Sequence, residues 1–564
     1  MVLTVSKYRF QHWLFTLLTA HNVSLKILRA KRYSFEAFSL GTLNRYIQSS
    51  SKHQVIHFGM VHLAPAAECI HKVLPLNSKS GCVHIFLFTL LIYTCYHLSR
   101  KPLSIVKSVL HQNCSEEAHK KGKIIVPENE TFCDWAPFDN QNYDSLFGTL
   151  DLIFLSLYAI SMFFSGHVAD KMDLRIYLCI GTLLSGMTTI AFGLGYFFNI
   201  HSFTYYAIVQ GLAGLVQASG WPAVVACMGN WFGKDKRGFF MGVWTAHASI
   251  GNILGSLIAG AFVEKSWGWS FIVPGLIIGF FSLPIYFFLV PYPESVGVRP
   301  PVQYNLNDGP IDQAISDGNS FEESLGTTTS QSNLLIPIET KSSSFLSALK
   351  VPGVVEYSLT LFFSKLVSYT FIFWLPMYIR EAGGFNPSSS ADLSAVFDLG
   401  GILGGIIAGY VSDSTGSSAI TCVVMLALSI PTLYLYSIVG FRSLAYCIGL
   451  LIPLGLFVNG PYCLITTAVS ADLGTHPSLS KNSRTLATVT GIIDGTGSVG
   501  AALGPLLCGL LKPYGWSVII IMLMVALALA AILLFRMVAN ESRHCCFHSE
   551  QSLQISTLSN TADT

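Results

Sequence analysis

Charge is what this sequence has least of. Only 11% of its 564 residues are Asp, Glu, Lys or Arg, against about 25% in an ordinary soluble domain. A water-soluble chain so poor in charge has too little polar surface to cover itself, so its main solvent is lipid. A large net charge is missing as well. The balance of 33 basic and 31 acidic residues leaves +2, which excludes a nucleic-acid binder relying on a basic face. The scattered His and Cys lack metal-ligand spacing, and no loop assembles a nucleophile, a base and a metal set. An enzyme is therefore not expected, and no metal or cofactor is implied.

What is present is apolar length. Hydrophobic residues make up 51% of the chain, mean hydropathy is +0.53, and the apolar runs reach the roughly 20 residues that cross a bilayer as helix. The first set of spans reads as 83–106, 144–167, 175–197, 203–229, 237–263 and 270–291. The second reads as 354–379, 391–412, 417–440, 443–470, 484–511 and 514–538. Between them, residues 292–353 form a polar linker with "GTTTSQSN" and no apolar periodicity. The expected fold is thus an all-α membrane protein of twelve helices in two six-helix halves, 83–291 and 354–538. Residues 1–82 read as a basic, poorly ordered extension holding ten Lys/Arg against Glu36 and Glu68, and 539–564 as a short polar tail.

An even number of spans puts both termini on one side. Lys171, Arg175, Lys234, Lys236, Arg237, Lys481 and Arg484 fall in loops on that side, which should be cytosolic. The loop 107–143 lies on the other face. It carries Lys107, Lys120, Lys121 and Lys123, but also the sequons at Asn113 and Asn129 and the pair Cys114 and Cys133. Glycans and a disulfide both require an oxidising, lumenal or extracellular setting. The sequon at Asn113 has Cys114 as its middle residue, which sets those two modifications against each other.

Ionisable residues within the spans are functional candidates by default, because a charge in hydrocarbon costs several kcal/mol. Arg100 and Lys101 lie two-thirds along the first span, one turn beyond His97, and Lys365 lies near the middle of the first span of the second half. The repeat would bring Arg100 and Lys365 together at the pseudo-twofold axis. No acid within either segment neutralises them, and two converging cations call for a dianion such as phosphate. The competing reading is that Arg100 and Lys101 snorkel to the interface; Lys365 is too deep for that. His247 in the fifth span would contact either substrate or a neighbouring helix. Asp398 and Asp494, placed near the starts of glycine-rich spans, read as helix caps or as proton-coupling groups.

Several motifs carry a resemblance. "GHVADKMDLR", Gly166 to Arg175, resembles the loop signature of the major facilitator superfamily, with a weaker counterpart "GYVSDSTG" holding Gly409 and Asp413. "GWPAVVACMGNWFGKDKRGFFMGVW" is similar to the signature of the organophosphate:phosphate antiporters. "HLSRKPLSIVK", "WAPFDNQNYDSLFG", "GNILGSLIAG", "SFIVPG" and "SKLVSYTFIFWLP" resemble the eukaryotic sugar-phosphate exchangers within that group. The resemblance covers about residues 84–540 and leaves the N-terminal extension without a counterpart.

The resemblance implies antiport of a sugar phosphate, glucose-6-phosphate first, against inorganic phosphate by alternating access, in the endoplasmic reticulum membrane. It implies phosphate binding by Arg100 with Lys365 and a gate of Asp170 and Arg175, with Asp413 at the corresponding place of a second-half loop that lacks the basic residues; Lys101, His97, His247, Ser368 and Tyr369 are the further candidate substrate contacts. Ser368 aligns with a bacterial arginine, whereas His247 stands one place from the bacterial histidine position. The tail "SNTADT" carries no lysine-based retrieval signal. The rival expectations are a proton-coupled symporter of sugars or organic anions and a phosphate-ester sensor that does not transport.

Overall fold

A computed structural model describes residues 78–111, 114, 133–232, 243–298, 349–474 and 483–543, and the statements below concern these. The basic extension, most of the linker, the tail, Asn113 and Asn129 lie outside the described residues. Backbone in lipid must satisfy its own hydrogen bonds, so long apolar runs become helices. The first half contains α1 (Ser78–Arg100), α2 (Pro102–Leu110), α3 (Tyr143–Lys171), α4 (Leu174–Phe197), α5 (Phe203–Gln217), α6 (Gly220–Trp231), α7 (Ala246–Val263) and α8 (Trp267–Phe288). The second contains α9 (Val354–Gly383), α10 (Pro387–Thr415), α11 (Ser418–Val439), α12 (Leu444–Leu464), α13 (Ser470–Gly474), α14 (Ser483–Leu511) and α15 (Trp516–Leu533). Counting α1 with α2 and α5 with α6 as single crossings, twelve segments are long and apolar enough to span a bilayer. Their outward faces expose Phe164, Met187, Phe280 and Ile532, a surface that suits acyl chains and not water.

The first span is longer than its apolar run suggested. Its helix breaks at Lys101, because Pro102 has no N–H to donate and opens a new helix at its first position. Leu103, Ile105, Val106 and Leu110 then carry α2 onward within the core. Lys107, read from sequence as a loop residue, lies inside α2 with 0% exposure.

The halves meet through α2, α3 and α7 on one side and α9, α10 and α14 on the other. Where α3 crosses α14, a Cβ on Gly148 would stand 3.3 Å from Gly509 Cα, so the two glycines let the backbones nearly touch. Polar contacts between the halves include Lys101 to Asp398 (3.8 Å) and Lys512 to Asp144 (3.7 Å). Others are Asn252 to Asp398 (2.9 Å), Lys107 to the Phe373 carbonyl (3.4 Å) and the Ser388 N–H to Glu264 (3.2 Å). These run from mid-membrane to the end that carries residues 133–142. At that end Cys114 and Cys133 are joined through sulfur, with Cα atoms 5.5 Å apart. The contacts make a seal at this disulfide end.

Candidate functional site

On the other side of the seal lies a cavity of about 1020 Å³, its mouth included, lined from both halves. Arg100 enters it from the last turn of α1, immediately before the helix break. Its Nε donates to Gln217 Oε1 at 2.6 Å, and the Gln217 amide donates in turn to Ser99 at 3.2 Å. The guanidinium lies over the Tyr158 ring at 4.7 Å, and one terminal nitrogen is buried with no hydrogen-bond partner. A fixed, oriented guanidinium with an unpartnered terminal nitrogen is suited to oxyanions. Lys365, three turns into α9, lines the same cavity with Tyr369.

Lys365 is not unpaired, which corrects the expectation from sequence. Its ammonium donates to Asp494 Oδ1 at 2.6 Å and lies 5.6 Å from the Tyr462 ring centroid. Asp494 and Asp398 are not helix caps either. Each stands about three turns inside its helix, α14 and α10, because those helices begin earlier than the glycine-rich runs suggested. Four charged side chains line the cavity, Arg100 and Lys365 against Asp494 and Asp398, and Lys101 pairs with Asp398 from outside the lining.

The described residues of this all-helical chain thus hold two half-bundles around one cavity with a cation from each. The sequence profile of the Major Facilitator Superfamily matches residues 135–480. Glucose-6-phosphate exchanger SLC37A2 of Danio rerio is 53% identical over 463 residues, covering 82% of this chain and 93% of that protein. The chain belongs to the glucose-6-phosphate exchanger family of the major facilitator superfamily. Within that family, SLC37A2 of Homo sapiens is 52% identical over 81% of this chain and 92% of its own length, and human SLC37A1 is 46% identical over the same shares. A solved structure, a bacterial homolog of the human lysosomal transporter Spinster, superposes with a TM-score of 0.53 at 16% identity. It covers 81% of this chain and 97% of its own, and it shows the superfamily fold alone.

The remaining residues singled out for this superfamily member separate into three groups. His97 and His247 line the cavity with ring centroids 5.5 Å apart. His247 is further boxed by Trp244 at 4.2 Å and Tyr93 at 4.5 Å. Lys101 and Ser368 are not among the lining residues. Lys101 is buried against Asp398 and donates to the Ile372 carbonyl at 3.0 Å, so it belongs to the seal rather than to the cavity or the lipid interface. Ser368 is fully buried in α9. At the end opposite the disulfide, Arg175 contacts Asp173 at 3.5 Å and Asp413 is exposed. Asp170 lies near the end of α3, its side chain outside the described residues.

Sequence reasoning missed Gln217, Asp151 and Asp144. Asp151 is fully buried and ion-paired to Lys107, whose ammonium also lies 4.3 Å from the Trp374 ring centroid. The lone acid in "GTLDLIFLSL" was a visible signal, since a carboxylate in an apolar run calls for a partner as much as a cation does.

Proposed function

We propose that the chain exchanges a sugar phosphate, glucose-6-phosphate first, for inorganic phosphate by alternating access between its two halves. The observation that carries the reading is Arg100, whose buried terminal nitrogen has no hydrogen-bond partner on a cavity shared with Lys365. A phosphoryl group supplies the acceptors that this nitrogen lacks. It also competes with Asp494 for Lys365, so binding is a change of partners for the lysine. The relatives named glucose-6-phosphate exchangers support this choice of cargo.

Exchange follows from electrostatics. In the empty cavity Asp494 compensates Lys365, while Arg100 has no acidic side chain against it among the described residues. Closing the halves over an uncompensated guanidinium would cost several kcal/mol. A bound phosphate removes that cost in either direction, so the empty carrier returns slowly. The basic loops argue for a cytosolic face at the end opposite the disulfide, with both termini there, and for a lumenal disulfide end in the endoplasmic reticulum. On this reading Lys101, Lys107 and Lys512 seal the lumenal side, and Asp170, Arg175 and Asp413 belong to the seal that replaces it when the cavity turns outward.

The test is uptake of labelled glucose-6-phosphate by proteoliposomes. Phosphate-loaded vesicles should take it up, and Arg100→Ala or Lys365→Ala should abolish uptake. Equal uptake by vesicles lacking internal phosphate would overturn exchange. Uptake that required an imposed proton gradient at clamped phosphate would favour the symporter, whose two candidate carboxylates are both held by lysines here.

A further inference from the structure

The cavity has a second chemistry that a bare phosphate site does not need. Asp398 is 2% exposed and lines the cavity from α10. Its Oδ1 accepts from Asn252 at 2.9 Å, while Oδ2 is buried with no hydrogen-bond partner, Lys101 standing 3.8 Å away. Beside it on the same side are Asn252 of α7 and Asn459 of α12, both lining the cavity, and a Cβ on Gly401 would meet the Asn459 amide at 2.8 Å. Neither ring nitrogen of His247 has a partner. Leaving such groups buried and unsatisfied costs about 1–3 kcal/mol each, so their retention in the lining of one cavity points to a ligand that satisfies them.

The sign of the charge says which part of the ligand that is. Asp398 offers the cavity only acceptor oxygens and its lysine partner Lys101 is not among the lining residues, so the wall of α7, α10 and α12 suits a phosphoryl group less well than the Arg100 and Lys365 side does. A carboxylate oxygen and a set of amides and imidazoles instead match hydroxyl groups, which donate and accept at once. The wall also lies within reach. Asp398, Asn252 and Asn459 line the same cavity as Arg100 and Lys365. Trp221 and Tyr93, 5.5 Å apart between ring centroids, add flat apolar faces to the same cavity. Such faces suit the C–H side of a pyranose ring.

Resting on the exchange reading, we infer that Asp398, with Asn252, Asn459 and His247, forms a polyol subsite that reads the hydroxyl groups of the sugar. Arg100 and Lys365 hold the phosphate. The subsite distinguishes a hexose phosphate from phosphate itself and from phosphate esters whose carbon skeleton is short or lacks hydroxyls.

The test uses the full chain in phosphate-loaded proteoliposomes, with glucose-6-phosphate, its monodeoxy analogues and inorganic phosphate as competitors. On the wild type, at least one deoxy analogue should compete tenfold or more weakly than the parent, since a site built to bond a hydroxyl rejects the analogue lacking it by factors that reach about 10⁴–10⁵. In Asp398→Asn that discrimination should shrink, and half-inhibition by glucose-6-phosphate should rise at least fivefold more than half-inhibition by phosphate. Asn459→Ala, which leaves the Lys101 contact intact, should shift the same ratio in the same direction. Deoxy analogues competing as well as the parent on the wild type, a measurement that needs no variant, would overturn the subsite. Equal weakening of sugar phosphate and phosphate in both variants would do the same. Wild-type vesicles with no phosphate exchange at all would overturn the exchange reading and the subsite with it, a failure separable from the others because it precedes any comparison of sugars.

Discussion

At the scale of the residue, the surprise is how well the buried lysines are compensated. Arg100 and Lys365 were legible because a cation interrupting an apolar run is conspicuous in one dimension. Their partners were not, because Asp494 lies 129 positions from Lys365 and Gln217 lies 117 from Arg100. Pairing at such separations is decided by packing, which hydropathy does not encode. Lys101 shows the same limit: its sequence is that of a binding or snorkelling residue, and only the proximity of Asp398 makes it part of a seal. Asp494→Asn follows from the competition for Lys365. Losing a charged hydrogen bond should lower stability by up to about 3 kcal/mol, while phosphate at a hundred times its Kd returns about 2.7 kcal/mol to the state that binds it. The variant should therefore melt below the wild type without phosphate, and show a larger upward Tm shift with it because Lys365 no longer has a rival anion. A smaller phosphate shift than in the wild type would contradict the competition.

At the scale of the element, span number and order were readable from apolar length, whereas breaks and ends were not. The first span continues through α2 because Leu103, Ile105, Val106 and Leu110 are buried in the core, so Lys107 becomes the buried partner of Asp151 instead of a loop charge. The glycines of α14 do not name the neighbour they admit, which at Gly509 is α3 of the other half. A β-branched side chain there has nowhere to go while the seal is closed, since even a Cβ on Gly509 would stand 3.0 Å from Gly148 Cα. Gly509→Val should wedge α3 from α14 and open the disulfide end. Electron–electron distance measurements between spin labels at Asn140 and Ala382, exposed positions in different halves, should lengthen by several Å. An unchanged distribution would show that the crossing tolerates the added volume.

At the scale of the whole molecule, the two halves are held by lysines that reach across mid-membrane and toward the disulfide end. Lys512 of the second half bridges Asp144 of the first at 3.7 Å and Glu381 of its own half at 2.7 Å. Lys512→Gln removes that bridge without adding bulk, so the same label pair should gain a longer-distance population while the half-saturating phosphate concentration stays within about twofold. A large loss of phosphate affinity would place Lys512 in the cavity's chemistry. Two-half architecture was visible in the spacing of spans, but which end closes was not, because it depends on contacts between segments hundreds of residues apart. The break between α1 and α2 ties these scales together. Arg100 faces the cavity and its chain neighbour Lys101 fastens the seal, with Pro102 opening the next helix directly after them. On the exchange reading, occupancy and opening would be sensed by consecutive residues, one peptide unit apart. Coupling of this kind needs no relay through the protein, and it should persist when distant parts of either half are altered, provided this one joint keeps its shape.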